Sequence, residues 1–167
     1  VDSVFNTRTE HVVEVCEAIL RENVKLAWEC FLRPGPGITP ELLQLMQRAG
    51  LCHVEFGSDS FSDPVLHRYG KSFDFAEIQR VSELAHRHGL RYSHFIIFGG
   101  PGETPDSVEE TIARAALLPA GFFFATIGMR IYPGTPLWRT VAPEQAGETL
   151  ADYLEKPRFY IERPLTM

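Results

Sequence analysis

Short apolar segments alternate with amphipathic segments along most of the chain, and this alternation predicts the order of its strands and helices. Apolar residues recur at helical spacing in four segments, which lie at 9–21, 40–50, 74–89 and 105–118, with a shorter helical segment at 64–69. Four other segments are apolar without a helical period, and they lie at 26–32, 52–57, 92–98 and 122–132. The pattern therefore predicts four buried strands that are separated by helices.

Capping residues support the predicted helix starts. Thr7 with Glu10 matches a capping box ahead of the first helix, and Asp74 with Glu77 matches one ahead of the helix at 74–89. Thr39 precedes a proline, which is the usual order of an N-cap residue and a first helical residue. These residues set the expected boundaries of three helices.

Strands that alternate with helices need crossover connections, so they are expected to run parallel. Their continuous apolar character indicates that both faces of the sheet are covered. With residues 1–5 as the tail of a further strand, about five strands are expected, too few for a closed eight-stranded barrel. We predict an α/β fold, a partial TIM-like parallel β/α barrel with helices on the outside, and an open doubly wound sheet is the alternative. Residues 1–142 would form the barrel and residues 143–167 a C-terminal extension.

Composition narrows the class of protein. The chain has 167 residues, of which 44% are hydrophobic and 23% charged, so it is long enough for one domain and has no long apolar run. A net charge of -6 argues against nonspecific nucleic-acid binding, and no membrane association is expected.

The three cysteines, at positions 16, 30 and 52, fit neither a disulfide framework nor paired metal-binding spacing. We expect free thiols in the cytoplasm and no metal site. The first residue is Val1, which suggests a domain cut from a longer protein.

In either architecture, ligands bind at the carboxyl ends of the strands. Eleven residues at or near these ends are candidates for cofactor binding: Asp2, Arg33, Asp59, Ser60, Gly99, Gly100, Pro101, Gly102, Glu103, Arg130 and Tyr132. Spacing reveals no Ser-His-Asp or Cys-His arrangement, and His94, inside an apolar segment, is expected to be a core residue. Catalytic residues therefore stay unassigned.

Several candidates also have a purely structural explanation. The glycine loop, which we define as residues 99–104, lets backbone approach a ligand and opens a helix whose free N–H groups suit an anion, but a plain turn would also need glycine. Asp59 and Ser60 could hold ligand hydroxyls or could cap the following short helix. Arg33 could pair with a carboxylate or phosphate or could be a solvated loop residue. The sequence leaves these alternatives open.

Three segments, in this order, resemble the radical S-adenosylmethionine superfamily, especially members with a separate cobalamin-binding domain. Residues 56–66, FGSDSFSDPVL, with Lys71 downstream, look like the strand-four segment GIESGSDxVL and its lysine. Residues 95–104, FIIFGGPGET, look like the strand-five GxPGET signature, and residues 130–137, RIYPGTPL, look like the strand-six segment. The likeness also covers residues 1–6, 33–50 and 154–160, so it extends over nearly the whole chain.

The resemblance implies a set of contacts to S-adenosylmethionine. Asp2 would meet the methionyl amino group, Arg33 and Asp59 would face the carboxylate or ribose, and residues 99–103 would lie against adenine. Arg130 and Tyr132, in the strand-six segment, would line the same mouth. The chain departs from the family where it has Asp59 in place of glutamate and Phe61 in place of glycine.

The resemblance also implies what this chain lacks. The Cys-x3-Cys-x2-Cys loop that holds the four-iron, four-sulfur cluster in this family is absent, so the cluster is expected in the parent protein only. We predict a fragment of a radical S-adenosylmethionine iron-sulfur enzyme, an oxidoreductase or methyltransferase, that forms most of the cofactor and substrate rim and is inactive alone. Its expected partners are the missing N-terminal barrel part and a cobalamin-binding domain.

Other functions remain open. The chain could be a non-redox nucleotide-binding or interaction module, or an unrelated barrel enzyme that binds phosphate at the glycine loop. An exposed strand edge at the truncated side predicts self-association.

Overall fold

The computed structural model describes residues 4–119, 121–141 and 154–165. The strands are β1 (Trp28–Leu32), β2 (Leu51–Asp59), β3 (Arg91–Phe98), β4 (Phe122–Ile127), β5 (Met129–Arg130) and β6 (Phe159–Tyr160). The helices are α1 (Thr9–Arg21), α2 (Pro40–Arg48), α3 (Asp63–Arg68), α4 (Phe75–Arg87), α5 (Pro105–Ala115) and α6 (Pro136–Val141). Short 3-10 helices cover Phe5–Thr7 and Arg163–Leu165.

The first four strands form one parallel sheet in the order β1-β2-β3-β4. A helix lies in each crossover, as the alternation of apolar segments predicts, so the α/β partial-barrel prediction is confirmed. The fifth strand expected at residues 1–5 is not observed in its described part, because Phe5 begins a 3-10 helix. Residues 1–3 lie outside the described residues. No helix in the described ranges is long and apolar enough to cross a membrane.

The helix caps follow the sequence in two of three places. The Thr39 hydroxyl accepts a hydrogen bond from the Leu42 amide at 3.2 Å, and the Asp74 carboxylate accepts one from the Glu77 amide at 2.9 Å. The capping box expected at Thr7 is wrong. Its hydroxyl donates to the Val4 carbonyl at 3.0 Å, because the preceding 3-10 turn brings that carbonyl within reach.

The last predicted strand, 122–132, is interrupted. β4 ends before Gly128, whose φ of 88° lies in the left-handed region and turns the backbone out of the sheet. β5 follows directly and pairs antiparallel with β6, so the C-terminal segment folds back beside the break at Gly128. The expected domain boundary after residue 142 lies outside the described residues and stays a prediction.

A buried histidine joins the sheet to α4. His94 on β3 is fully buried, and its two ring nitrogens lie 2.8 Å from the Ser58 hydroxyl and 3.0 Å from the Ser82 hydroxyl. The Ser82 hydroxyl donates to the Ile78 carbonyl at 2.7 Å, so it accepts the bond from His94 Nε2–H. Burial lowers the pKa of His94 to about 3, so the ring is neutral and belongs to the core, as expected.

Candidate functional site

A cavity of about 980 Å³ opens at the carboxyl ends of the strands, on the side of β2, β3 and β5. It is bounded by the ends of these strands, the end of α3, the glycine loop, α6 and β6. The lining residues are Asp59, Arg68, Tyr69, Gly70, Lys71, Ile97, Pro101, Met129, Arg130, Tyr132, Thr135, Pro136, Leu137, Thr140, Val141 and Tyr160. Four of the predicted site residues, Asp59, Pro101, Arg130 and Tyr132, therefore lie around one space.

Asp59 reaches this cavity through an irregularity at the end of β2. Between the pairs Phe56–His94 and Asp59–Ile96, β2 advances three residues while β3 advances two. Such a bulge redirects the side chains that follow it. Asp59 has a φ of 63°, an uncommon backbone conformation for a residue other than glycine. The backbone is therefore strained at Asp59, the residue whose carboxylate faces the cavity.

The Asp59 carboxylate forms an ion pair with Lys71. The Lys71 ammonium also donates to the Gly57 carbonyl at 3.3 Å and lies 5.7 Å from the centroid of the Phe73 ring. Both charged side chains are mostly buried, with 22% and 23% of their surface exposed. Lys71 therefore holds Asp59 in place and balances its charge at the cavity wall.

The glycine loop is held by two carboxylates of the chain itself. The Gly99 amide donates to Glu103, whose side chain is buried beneath the loop, and the Gly102 amide donates to Glu162 Oε2 at 2.6 Å. Burial raises the pKa of Glu103, and the backbone N–H groups of the loop oppose this shift. Two of the N–H groups that could have bound an external anion are thus already paired.

Residues at the end of α3 explain why the loop needs glycine. A Cβ at Gly100 would overlap the Tyr69 hydroxyl and lie 2.6 Å from the ring carbon that carries it. A Cβ at Gly102 would overlap the Arg68 side chain and lie 2.8 Å from its guanidinium carbon. Glycine at these positions lets α3 approach the loop, which is a structural reason independent of any ligand.

Arg130 and Tyr132 form a further part of the cavity wall. The guanidinium carbon of Arg130 lies 5.0 Å from the centroid of the Tyr132 ring, within the range of a cation–π contact. Arg130 is on β5, and Tyr160 on the paired strand β6 also lines the cavity. The wall therefore combines a cation with two aromatic rings.

Other predicted site residues lie elsewhere. Ser60 is fully buried, and its hydroxyl lies 3.2 Å from the Thr111 hydroxyl and accepts from the Ser62 amide at 3.1 Å, so it is engaged inside the fold. Arg33 is exposed at the end of β1 and does not line the cavity. Its backbone exchanges two 2.8 Å hydrogen bonds with the Asn6 side chain. Asp2 lies outside the described residues.

The lining residues that the sequence did not single out include Arg68, Tyr69 and Tyr160. Arg68 and Tyr69 follow the strand-four segment directly, and their position between that segment and its downstream lysine was an available signal. Tyr160 is brought to the cavity by the β5–β6 pairing, for which the sequence carries no local signal.

The described residues do not fit an iron-sulfur cluster. Among them, no group of three or more His, Cys, Asp or Glu side chains could hold a metal ion. Burial raises the pKa of the Cys16 and Cys30 thiols, which opposes the thiolate form that iron requires, and the Cys52 thiol donates to the Trp28 carbonyl at 3.2 Å.

Comparison with curated proteins finds similar methyltransferases. The chain is 26% identical over 161 residues to the tryptophan 2-C-methyltransferase of Streptomyces laurentii, which covers 87% of the chain and 26% of that protein. It is 28% identical over 137 residues to an uncharacterized methyltransferase of Pyrococcus horikoshii, covering 82% of the chain and 29% of that protein. The chain thus spans less than a third of these relatives.

Comparison with solved structures agrees. The radical S-adenosylmethionine methyltransferase TsrM from Kitasatospora setae, solved with cobalamin and a [4Fe-4S] cluster bound, superposes with a TM-score of 0.76 and 25% sequence identity. The superposition covers 86% of this chain and 29% of TsrM. The family model of the radical SAM superfamily matches residues 4–115. This chain therefore belongs to the radical SAM superfamily.

Proposed function

We propose that the cavity at the carboxyl ends of the strands binds S-adenosylmethionine, and that this chain is part of a radical methyltransferase. The observation that carries the proposal is the meeting of the three motif segments around one cavity, through Asp59, Pro101 and Arg130. The superfamily uses S-adenosylmethionine with a four-iron, four-sulfur cluster. The volume of about 980 Å³ is ample for a molecule of that size.

The lining of the cavity suits the chemistry of S-adenosylmethionine. Arg68 and Arg130 supply positive charge that favours the methionyl carboxylate, and Asp59 supplies an acceptor for ribose hydroxyls or for the ammonium group. Pro101 and the tyrosine rings offer flat apolar surface to a purine. In this role the residues bind and orient the cofactor and exclude water from it. The counter-charge from Lys71 keeps Asp59 from repelling the carboxylate.

The cluster and cobalamin are assigned to parts of the parent protein beyond this chain. The described residues do not fit the cluster, so its redox chemistry would be supplied by another part of the parent protein. A separate domain would bring cobalamin, which is bound in the similar structure of TsrM. The cysteines are free thiols, which favours the cytoplasm, where disulfides are rare.

The edge of β1 is the proposed docking site for the N-terminal part of the barrel. Among the described residues, β1 pairs with β2 on one side and with no strand on the other. A second cavity, of about 430 Å³, lies along β1, and its lining includes Phe5, Val15 and Trp28. An unpaired strand beside an apolar groove is suited to receive another strand, or in its absence a second copy of this chain.

Calorimetric titration of S-adenosylmethionine into the whole natural protein tests the proposal. We expect binding that Arg130→Ala weakens about tenfold, because one charged contact to the carboxylate is lost. Arg91→Ala is the matched control, since Arg91 is exposed at the start of β3, at the end of the four-stranded sheet that lies away from the cavity. Equal affinity in wild type and Arg130→Ala would argue against a cofactor in this cavity.

A parallel titration with inorganic phosphate tests the phosphate-binding alternative. The pairing of the Gly99 and Gly102 amides with carboxylates of the chain weighs against an anion site at the loop. Tight phosphate binding without binding of S-adenosylmethionine would favour the unrelated barrel enzyme. Binding of S-adenosylmethionine in a natural protein that has no cluster would favour the non-redox module.

A further inference from the structure

The end of the chain crosses the glycine loop as a strap, which we define as residues 158–162. β6 within the strap pairs antiparallel with β5, matching Met129 with Tyr160 and Arg130 with Phe159. The Ile131 amide donates to the Arg158 carbonyl at 2.9 Å and extends this pairing. The strap is therefore anchored on the element that carries one wall of the cavity.

Two glycines at the ends of adjacent strands make room for the strap. Gly99 follows β3 and Gly128 follows β4, and their φ values of 87° and 88° both lie in the left-handed region. A Cβ on either glycine would come within 3.2 Å of the Ile161 side chain, and one on Gly128 within 3.1 Å of the Phe159 Cβ. Close backbone approach at two positions indicates that the strap is a built part of the fold.

Glu162 connects the strap to the loop at two residues, Gly99 and Gly102. Its amide donates to the Gly99 carbonyl at 2.9 Å, and its carboxylate accepts from the Gly102 amide at 2.6 Å. The Tyr160 hydroxyl donates to the same carboxylate oxygen at 2.9 Å. The bond from Gly102 is the main cause that lowers the pKa of Glu162, so the carboxylate is ionised at neutral pH and its bonds are charge-assisted.

The Glu162 carboxylate does not line the cavity, whereas Pro101 and Tyr160 do. It therefore holds the loop from behind and leaves the space in front of Pro101 open. A carboxylate that blocked the ligand would have to face that space. The geometry favours support of the loop over inhibition.

We propose that Glu162 is a positioning residue, which fixes the glycine loop through the strap so that the loop can contact the ligand. The inference rests on the proposed binding of S-adenosylmethionine and assigns a role to a residue more than 50 positions away from the loop in sequence. A loop pinned at Gly99 and Gly102 loses little freedom when the ligand binds, so its affinity is higher than that of a loose loop.

The test compares three variants of the whole natural protein: Glu162→Ala, Glu162→Gln and Glu155→Ala. Glutamine keeps an oxygen that can accept from the Gly102 amide but lacks the charge. Glu155 is exposed in the same C-terminal segment and serves as the control. Two quantities are measured, the dissociation constant of S-adenosylmethionine by calorimetry and the hydrogen-exchange rate of the Gly102 amide by mass spectrometry.

We expect Glu162→Ala to weaken binding about tenfold and to speed exchange at Gly102 by a similar factor, with an intermediate effect for Glu162→Gln and none for Glu155→Ala. Wild-type affinity in both Glu162 variants would overturn this inference but not the proposed function. Tighter binding in Glu162→Ala would overturn it in favour of an inhibitory strap. A wild type that does not bind S-adenosylmethionine would instead overturn the proposed function on which the inference rests. Thermal unfolding of all variants distinguishes loss of the contact from loss of the fold. If Glu162→Ala does not fold, the affinity of Glu162→Gln is used to test the inference.

Discussion

The Tyr69 hydroxyl lies against Gly100, in the space that a Cβ at that position would occupy. Tyr69 follows α3 and Gly100 follows β3, so this contact fixes the end of a helix against the loop beside the cavity. Burial raises the pKa of Tyr69, which keeps its hydroxyl neutral there. The approach is close because the loop residue has no side chain.

Gly100→Ala is therefore expected to destabilise the protein. The added methyl group would have to displace a half-buried tyrosine side chain, and we expect a loss of about 1–3 kcal/mol in the free energy of unfolding, measured with denaturant. Gly35→Ala is the control, because a Cβ at Gly35 would meet open space. Equal stability of the two variants would show that Tyr69 can move aside freely.

The neutral His94 predicts a pH dependence of stability. Its folded pKa, about 3, is below the ordinary value of 6.5, so protonation favours the unfolded chain. The contribution of His94 is complete above pH 6.5 and is lost as the pH falls from 6.5 toward 3. Each unit of this fall lowers the free energy of unfolding by up to about 1.4 kcal/mol.

Denaturant unfolding between pH 7.5 and pH 5 measures this dependence. His94→Gln keeps hydrogen-bonding groups near Ser58 and Ser82 but does not titrate, so its curve is expected to be flatter than that of the wild type. His86→Gln is the control, because His86 is exposed on α4. A slope equal to the wild-type slope in His94→Gln would assign the dependence to other groups.

The order of the elements was predictable because their apolar periodicity is local. The strands β1 to β3 and the helices α2 and α4 follow from apolar spacing and from caps such as Thr39 and Asp74. The break at Gly128 was not predicted, since the apolar pattern continues through it. It depends on pairing with β6, about thirty residues further along the chain, and such long-range pairing leaves no periodic signal.

The candidate site was predictable in position and less so in detail. The rule that ligands bind at the carboxyl ends of parallel strands identified Asp59, Arg130 and Tyr132, which line the cavity. The direction of the Ser60 side chain depends on the irregularity in β2 just before it, which simple alternation along a strand does not describe. The partners of the loop amides, Glu103 and Glu162, are similarly a product of tertiary structure.

The ion pair between Asp59 and Lys71 predicts a measurable coupling. We expect Asp59→Asn and Lys71→Met each to lower the free energy of unfolding, and the double variant to lose less than the sum of the two, with a coupling of about 1 kcal/mol. Asparagine tolerates the positive φ at this position, so the backbone is kept. Additive losses in a double-mutant cycle would mean that the pair contributes nothing to the fold.

The open edge of β1 predicts that the isolated chain self-associates. Val15 on α1 lines the groove along this edge, and it is only partly exposed. Val15→Glu places a charge in the groove, so we expect sedimentation velocity to show a monomer at concentrations where the wild type forms dimers or larger species. The matched control is Phe122→Lys on β4, at the other edge of the sheet, where the side chain is 64% exposed. If Phe122→Lys abolishes association and Val15→Glu does not, the contact runs through β4. A wild-type chain that is monomeric at every concentration would contradict association through either edge.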